Sequence, residues 1–225
     1  MSLHAVRPSF PVSIVADDEL ATLAAALMQS RQTILPKRLL APGPDARQRR
    51  MIFDAAATAP DHGQLLPWRF VVVPQAARTP LAEVFGAALL ERDAQATPDQ
   101  LGQAREKAHR SPLLMLVVVD GLRGDPGIDL SERIVSAGCA VQNMLLMATA
   151  LGYGSALTSG KALKSGGLRA LFGLADGEHG LCFISVGTVE ARRPGRLRPA
   201  PADFVTRLGI DGSVSSEPLD SFDFP

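Results

Sequence analysis

Apolar positions recur at a helical period in some stretches of the chain and run unbroken in others. The first pattern predicts amphipathic helices, the second buried strands. Asp17 and Asp18 can cap a helix through "ELATLAAALMQS", which ends near Ser30. The loop "RQTILPKRLLAPGPD" leads to a second helix, "ARQRRMIFDAAATA". Asp45 caps it, and Met51, Ile52 and Ala55 share one face. Pro60 stops that helix, and "WRFVVV" (68–73) predicts a buried strand. Helices are predicted over 79–90 and 98–109. Pro112 then opens "LLMLVVV", apolar on both faces, as in the centre of a sheet covered by helices.

The longest helix is predicted over 131–151. At about 20 residues it spans about 30 Å. Its apolar residues go nearly all round, so it is expected to be buried, with a second subunit as one candidate cover. A short strand "YGSALT", a short helix "SGGLRALFGL" with Ser165 near its cap, and a two-sided apolar strand "GLCFISVGTVE" follow. The tail "ARRPGRLRPAPADFVTRLGI" is basic and rich in Pro. About four strands and six helices result, with no repeat and no clear linker. Helices outnumber strands and the first two precede any strand. That argues against a regular βαβ fold and for one α+β domain, a sheet layered with helices.

Composition narrows the function. With 225 residues, 46% hydrophobic and 20% charged, the chain can bury a sizeable core. Its formal net charge is zero, which disfavours nucleic acid as a partner. The most apolar stretch, 134–151, is interrupted by Ser136, Gln142, Asn143 and Thr149, so no membrane span is expected. No signal peptide is legible at the N-terminus. Cys139 and Cys182 each sit in an apolar run and are expected to be buried free thiols, in keeping with a reducing cytoplasm. His4, His62, His109 and His179 are scattered, and no metal site is expected.

Local motifs taken alone point to little chemistry. Gly152-Tyr153-Gly154 follows a helix and opens a strand, the reverse of a dinucleotide-binding turn, so Gly152 is expected to end the helix. Asp61-His62 suggests an acid–base dyad, but adjacent side chains rarely orient each other, and no G-x-S-x-G elbow accompanies them. They are expected at a polar loop tip. Arg192, Arg193, Arg196 and Arg198 form either a solvated basic arm or an anion site. "SRQT", ending in Thr33, offers the same anion chemistry after the first helix.

In order, these pieces resemble the nitroreductase-like flavoprotein family. The sequence has a helix, Arg-x-Thr, a helix, Pro-x6-Pro-Trp-x-Phe, a strand, a long apolar helix, a Gly-aromatic-Gly turn and a last strand ending in Gly-Thr. It is similar in particular to a subgroup carrying "APDH", here Ala59-Pro60-Asp61-His62, with "SAGCAVQNM" and "FVT" in the same style. The resemblance covers about residues 20–208.

It implies a central, mostly antiparallel sheet flanked by helices in an intertwined homodimer, with FMN at the interface. It implies that NAD(P)H passes a hydride to the flavin, which then reduces a nitro compound, quinone or similar small acceptor by ping-pong turnover. No protein side chain is expected to be an indispensable catalytic group, since the flavin performs the hydride transfer. By resemblance, Arg31, Gln32 and Thr33 hold the phosphate, and Arg196 and Arg198 close on it. Thr58, Pro60, Asp61, His62 and Gln64 reach the ring from the partner subunit, and Leu157, Thr158 and Ser159 pass under it. The domain organisation implied is an arm over 1–19, an FMN-binding domain over 20–208 and a flexible tail over 209–225.

Three departures stand out. Leu35 occupies a place that is often basic, near flavin N1, Gln64 replaces the usual Asn, and the loop around Asp125 has no aromatic lid. Two further readings remain open: a flavin-binding or flavin-modifying protein without such turnover, and a plain dimeric interaction module. Trp68 is expected to be a packing anchor rather than a substrate stacker.

Overall fold

The structure, a computed structural model, describes residues 17–191 and 196–215. The chain divides into two compact units, Met1–Arg192 and Arg193–Pro225. Most of the expected N-terminal arm, together with His4, Arg192, Arg193 and residues 216–225, lies outside the described residues.

The first unit is built on four strands: β1 (Trp68–Val72), β2 (Leu113–Asp120), β3 (Gly154–Thr158) and β4 (Glu178–Gly187). Their order is β1-β2-β4-β3, and every pairing is antiparallel. Around them lie α1 (Asp17–Ser30), α2 (Ala46–Ala56), α3 (Arg78–Arg92), α4 (Pro98–Glu106), α5 (Leu130–Ala150) and α6 (Gly166–Leu171). This is the α+β arrangement expected.

The two-sided apolar pattern of β2 has the expected cause. Leu113, Met115 and Val117 face one core with α2 and α5. Leu114, Leu116 and Val118 face another with α3 and α6. Successive strand residues point to opposite faces, so one run of sequence feeds both cores. β1 departs from expectation. It lies at the sheet edge, half-buried, with Arg69 and Val72 exposed. An edge strand has a neighbour on one side only, which a run such as "WRFVV" does not reveal.

α5 departs likewise. It buries Ser136, Ala137, Ala140, Val141 and Met144 along one face, yet leaves Ile134 40% and Val135 65% exposed. α1 exposes Leu20, Leu23 and Met28, each more than half. The cysteines are free, as expected, but half-buried rather than buried.

Local signals end the elements as anticipated. Asp45 and Gln48 form a reciprocal capping box on α2, at 2.8 and 2.9 Å. Gly152 follows α5 with φ 88°, and the Tyr153 and Gly152 amides donate to Ala148 and Thr149, a Schellman ending. Ser165 accepts from the Leu168 amide and caps α6.

In the second unit, β5 (Arg207–Leu208) pairs antiparallel with β6 (Val214–Ser215). The stretch 209–215, expected to belong to a flexible tail, is therefore held in a short hairpin. Among the described residues no helix is long and apolar enough to cross a membrane.

Candidate functional site

Two groups of the expected site residues gather on the first unit. After α1 the chain runs beside β3. Thr33 forms a parallel bridge with Ser155, and the Ile34 amide donates to the Ser155 carbonyl at 2.9 Å. The approach needs Gly154, where a Cβ would collide with Val189 and crowd Ile34 and Leu39. Arg31 and Gln32 are half-buried and Thr33 is exposed. Further along the same strand, Leu157 and Thr158 are exposed, followed by exposed Ser159. The Ser155 hydroxyl is buried and has no hydrogen-bond partner among the described residues. An Arg and a hydroxyl on the segment bridged to β3, with an exposed strand end further along, are the groups that an anion joined to a flat apolar body calls for.

The second group is the loop after α2. Thr58 Oγ1 accepts from Asn143 Nδ2 at 2.9 Å and donates to the Ala55 carbonyl. Asp61 Oδ2 accepts the Leu66 amide at 2.6 Å, while its Oδ1 is buried without a partner among the described residues. This short bond spans a contorted backbone, since Gly63, Gln64 and Leu66 all have positive φ (68°, 52° and 47°). Left-handed conformations are costly for residues other than Gly and collect at functional sites. His62 Nδ1 lies 2.8 Å from Glu132 Oε2, with both side chains largely exposed. The histidine therefore pairs with α5 and not with Asp61, whose carboxylate is committed to the loop. Pro60 and Gln64 are exposed beside it.

Side chains that local motifs do not mark hold this group in place. Arg133 is 1% exposed and donates to the carbonyls of Asp120, Arg123, Asp125 and Ile128. It fixes the loop around Asp125, where Gly124, at φ 70°, lies against the Leu65 side chain. Trp68 Nε1 donates to Ser136 Oγ at 3.0 Å, and its ring lies 5.4 Å from that of Phe70, as a packing anchor would. Glu132, Ser136 and Asn143 all come from α5, far along the chain from their partners. The legible signal for Ser136 and Asn143 was the break they make in an apolar helix; none marked Glu132.

A cavity of about 620 Å3 touches the first group through Leu35, Thr158 and Ser159. Lys107, Arg110 and Lys161 also line it, and none of these was anticipated. Arg196 and Arg198 belong to the second unit, where both are exposed. Neither cysteine is marked out for chemistry; burial pushes the Cys182 thiol up to about 11, so it stays protonated at neutral pH.

The model of a family described as the nitroreductase family matches residues 28–188. A "Putative NAD(P)H nitroreductase" of Haemophilus influenzae is 35% identical over 190 residues, covering 82% of this chain and 99% of that protein. The "Putative NAD(P)H nitroreductase YdjA" of Escherichia coli K12 is 32% identical over 172 residues, covering 75% and 91%. Among solved structures, a nitroreductase-like family protein from Bacillus cereus matches with a TM-score of 0.69 at 15% identity, covering 80% of this chain and 93% of that one. The FMN-dependent nitroreductase NfnB of Mycobacterium smegmatis, solved with NADPH, matches with a TM-score of 0.64 at 19% identity, covering 83% and 98%. These two likenesses concern the fold.

Proposed function

Since this chain belongs to the nitroreductase family, we propose that it is an FMN-dependent NAD(P)H oxidoreductase acting as a homodimer. The observation that carries the reading is the junction of the Arg31–Thr33 segment with β3, made by the Ile34–Ser155 hydrogen bond. It sets the hydroxyl-bearing Thr33 against β3, whose exposed end carries Leu157. Bound FMN supplies hydride acceptance from NAD(P)H and hydride donation to a nitro compound, quinone or similar acceptor, by ping-pong turnover.

The chain's own residues bind and orient. Arg31, Gln32 and Thr33 hold the phosphate through charge-assisted bonds. Leu157, Thr158 and Ser159 support one side of the ring. Thr58, Pro60, Asp61, His62 and Gln64 approach the ring of the partner subunit. Two things support that exchange. The loop is bonded to α5 through Asn143 and Glu132. α5 in turn exposes Ile134 and Val135, and α1 exposes Leu20, Leu23 and Met28, an apolar area of the kind subunit interfaces cover. The domain over 20–208 is the cofactor-binding one, and a reducing cytoplasm suits the two free thiols.

Purified protein is expected to be yellow, with the absorbance bands of oxidised flavin, and to bleach anaerobically with NADH or NADPH. A colourless protein that takes up no added FMN overturns the reading. Bound FMN that neither nucleotide reduces would favour the flavin-carrying alternative, for which Leu35 in place of a cation is the motivating observation.

A further inference from the structure

The loop after α2 is tied to α5 at three points. Thr58 accepts from Asn143, Trp68 donates to Ser136, and His62 meets Glu132. At about 100° per residue, Glu132, Ser136 and Asn143 lie within about 40° of one another around the helix axis. One flank of α5 therefore carries the whole attachment. Between the outer ties, the Asp61–Leu66 bond and the positive φ of Gly63, Gln64 and Leu66 fix the path of the backbone. His62 thus leaves from a backbone that is already held.

The His62–Glu132 pair differs from the other two ties. Its side chains are 68% and 49% exposed, and a pair so open to water adds little to stability. The contact is nevertheless close, 2.8 Å from Nδ1 to Oε2. A carboxylate only accepts, so the hydrogen sits on Nδ1. In the neutral ring Nε2 is then the bare nitrogen, and among the described residues it has no hydrogen-bond partner. Whether the ring is neutral or charged, Nδ1–H stays with Glu132, and a proton comes and goes at Nε2.

From this arrangement we propose that His62 delivers a proton from Nε2 to the electron acceptor and that Glu132 is its positioning residue. The proton role rests on the proposed oxidoreductase activity, in which this loop approaches the ring of the partner subunit; the Glu132–His62 pairing does not. With tetramethyl-1,4-benzoquinone as the probe, one hydride originating in NAD(P)H and one proton give the hydroquinone and NAD(P)+. The Nε2–H bond breaks, an O–H bond forms on the quinone, and water returns a proton to Nε2.

The test uses the full-length flavin-loaded protein. Nitrogen-15 NMR of the neutral His62 ring is expected to show hydrogen on Nδ1. Glu132→Ala should release that preference, and Glu132→Gln, which still offers an accepting oxygen, should keep it. Rapid mixing of the reduced protein with the quinone reads the second half of turnover. His62→Ala should slow it about 100-fold, the lower end of what a general acid contributes, and added imidazole should restore part of the rate. Glu132→Ala should slow it less, and should add no loss once His62 is replaced, a non-additivity that a merely structural role would not produce. Hydrogen on Nε2 in the unaltered protein overturns the pairing and the inference with it. An unchanged rate in His62→Ala overturns the proton role, and additive losses in the double variant overturn the positioning role. A protein that takes up no FMN yet shows hydrogen on Nδ1 supports the pairing and removes the oxidoreductase reading together with the proton role.

Discussion

The two faces of the central sheet are built from alternate residues of the same strands, yet they end in different states. On one face Met115, Val117, Ile184 and Val186 meet α2 and α5 in a continuous apolar core. On the other, Leu114, Leu116 and Phe183 meet α3 and α6, but the packing stops short and leaves the cation-lined cavity. The difference lies in the helices. α5 runs 21 residues and lines its sheet-facing side with Ala, Val, Met and Leu. α4 is 9 residues long and continues into a 3-10 turn over Lys107–His109, whose exposed Lys107 borders the cavity. Stability is concentrated on the sealed face, and room for a ligand on the open one.

That contrast can be broken by substitution. Met115→Ala empties a fully buried position of the sealed face and should cost about 2–5 kcal/mol in denaturant unfolding. Arg31→Ala, at the β3 edge where both faces end, should weaken FMN binding by about 1.5–3 kcal/mol in a titration, the usual worth of a hydrogen bond to a charged group. Unchanged affinity in that variant would count against the assigned phosphate site.

A smaller effect is expected at Glu178. Arg69 donates to it through a two-pronged contact of 2.6 and 2.9 Å, and this bond holds its carboxyl below the usual range. A depressed folded-state pKa gives stability that is present above the unfolded value and lost as pH falls through the folded one. Acid unfolding of the native protein should therefore include a loss in that window, and Glu178→Gln should flatten it. The change at neutral pH should be about 1 kcal/mol, because the Arg69 side chain is 43% exposed and its charge is screened by solvent. Leu89→Ala, on the open face, should cost least, about 1 kcal/mol or less, since it adjoins empty space already. If it cost as much as Met115→Ala, the two faces would not differ as described.

Much of the sheet was legible because β2 and β4 announce central strands by being apolar on alternate and intervening residues alike. Asp45 and Gly152 were legible because caps act within a few residues. β1 was misjudged because a strand's place in the sheet depends on what lies beside it, which is decided far away in the chain. α5 was misjudged for a similar reason; an apolar helix does not say which flank its own subunit covers. The Arg31–Thr33 and 157–159 segments could be paired only through the family's motif order, since one bond between Ile34 and Ser155 joins them. The cavity cations come from α3, the turn after α4 and the segment after β3, and no local pattern unites them.

The segment that carries Arg31 to Leu40 has one more consequence. Through Ile34 and Leu40 it occupies backbone groups of Ser155 and Thr188 that would otherwise sit unpaired along the outer margin of the sheet. Unpaired strand margins recruit other chains and seed aggregation. A lesion that loosens this segment would therefore do two kinds of harm at once, disturbing the proposed phosphate site and uncovering an adhesive border. Loss of colour and loss of solubility should then appear in the same variants.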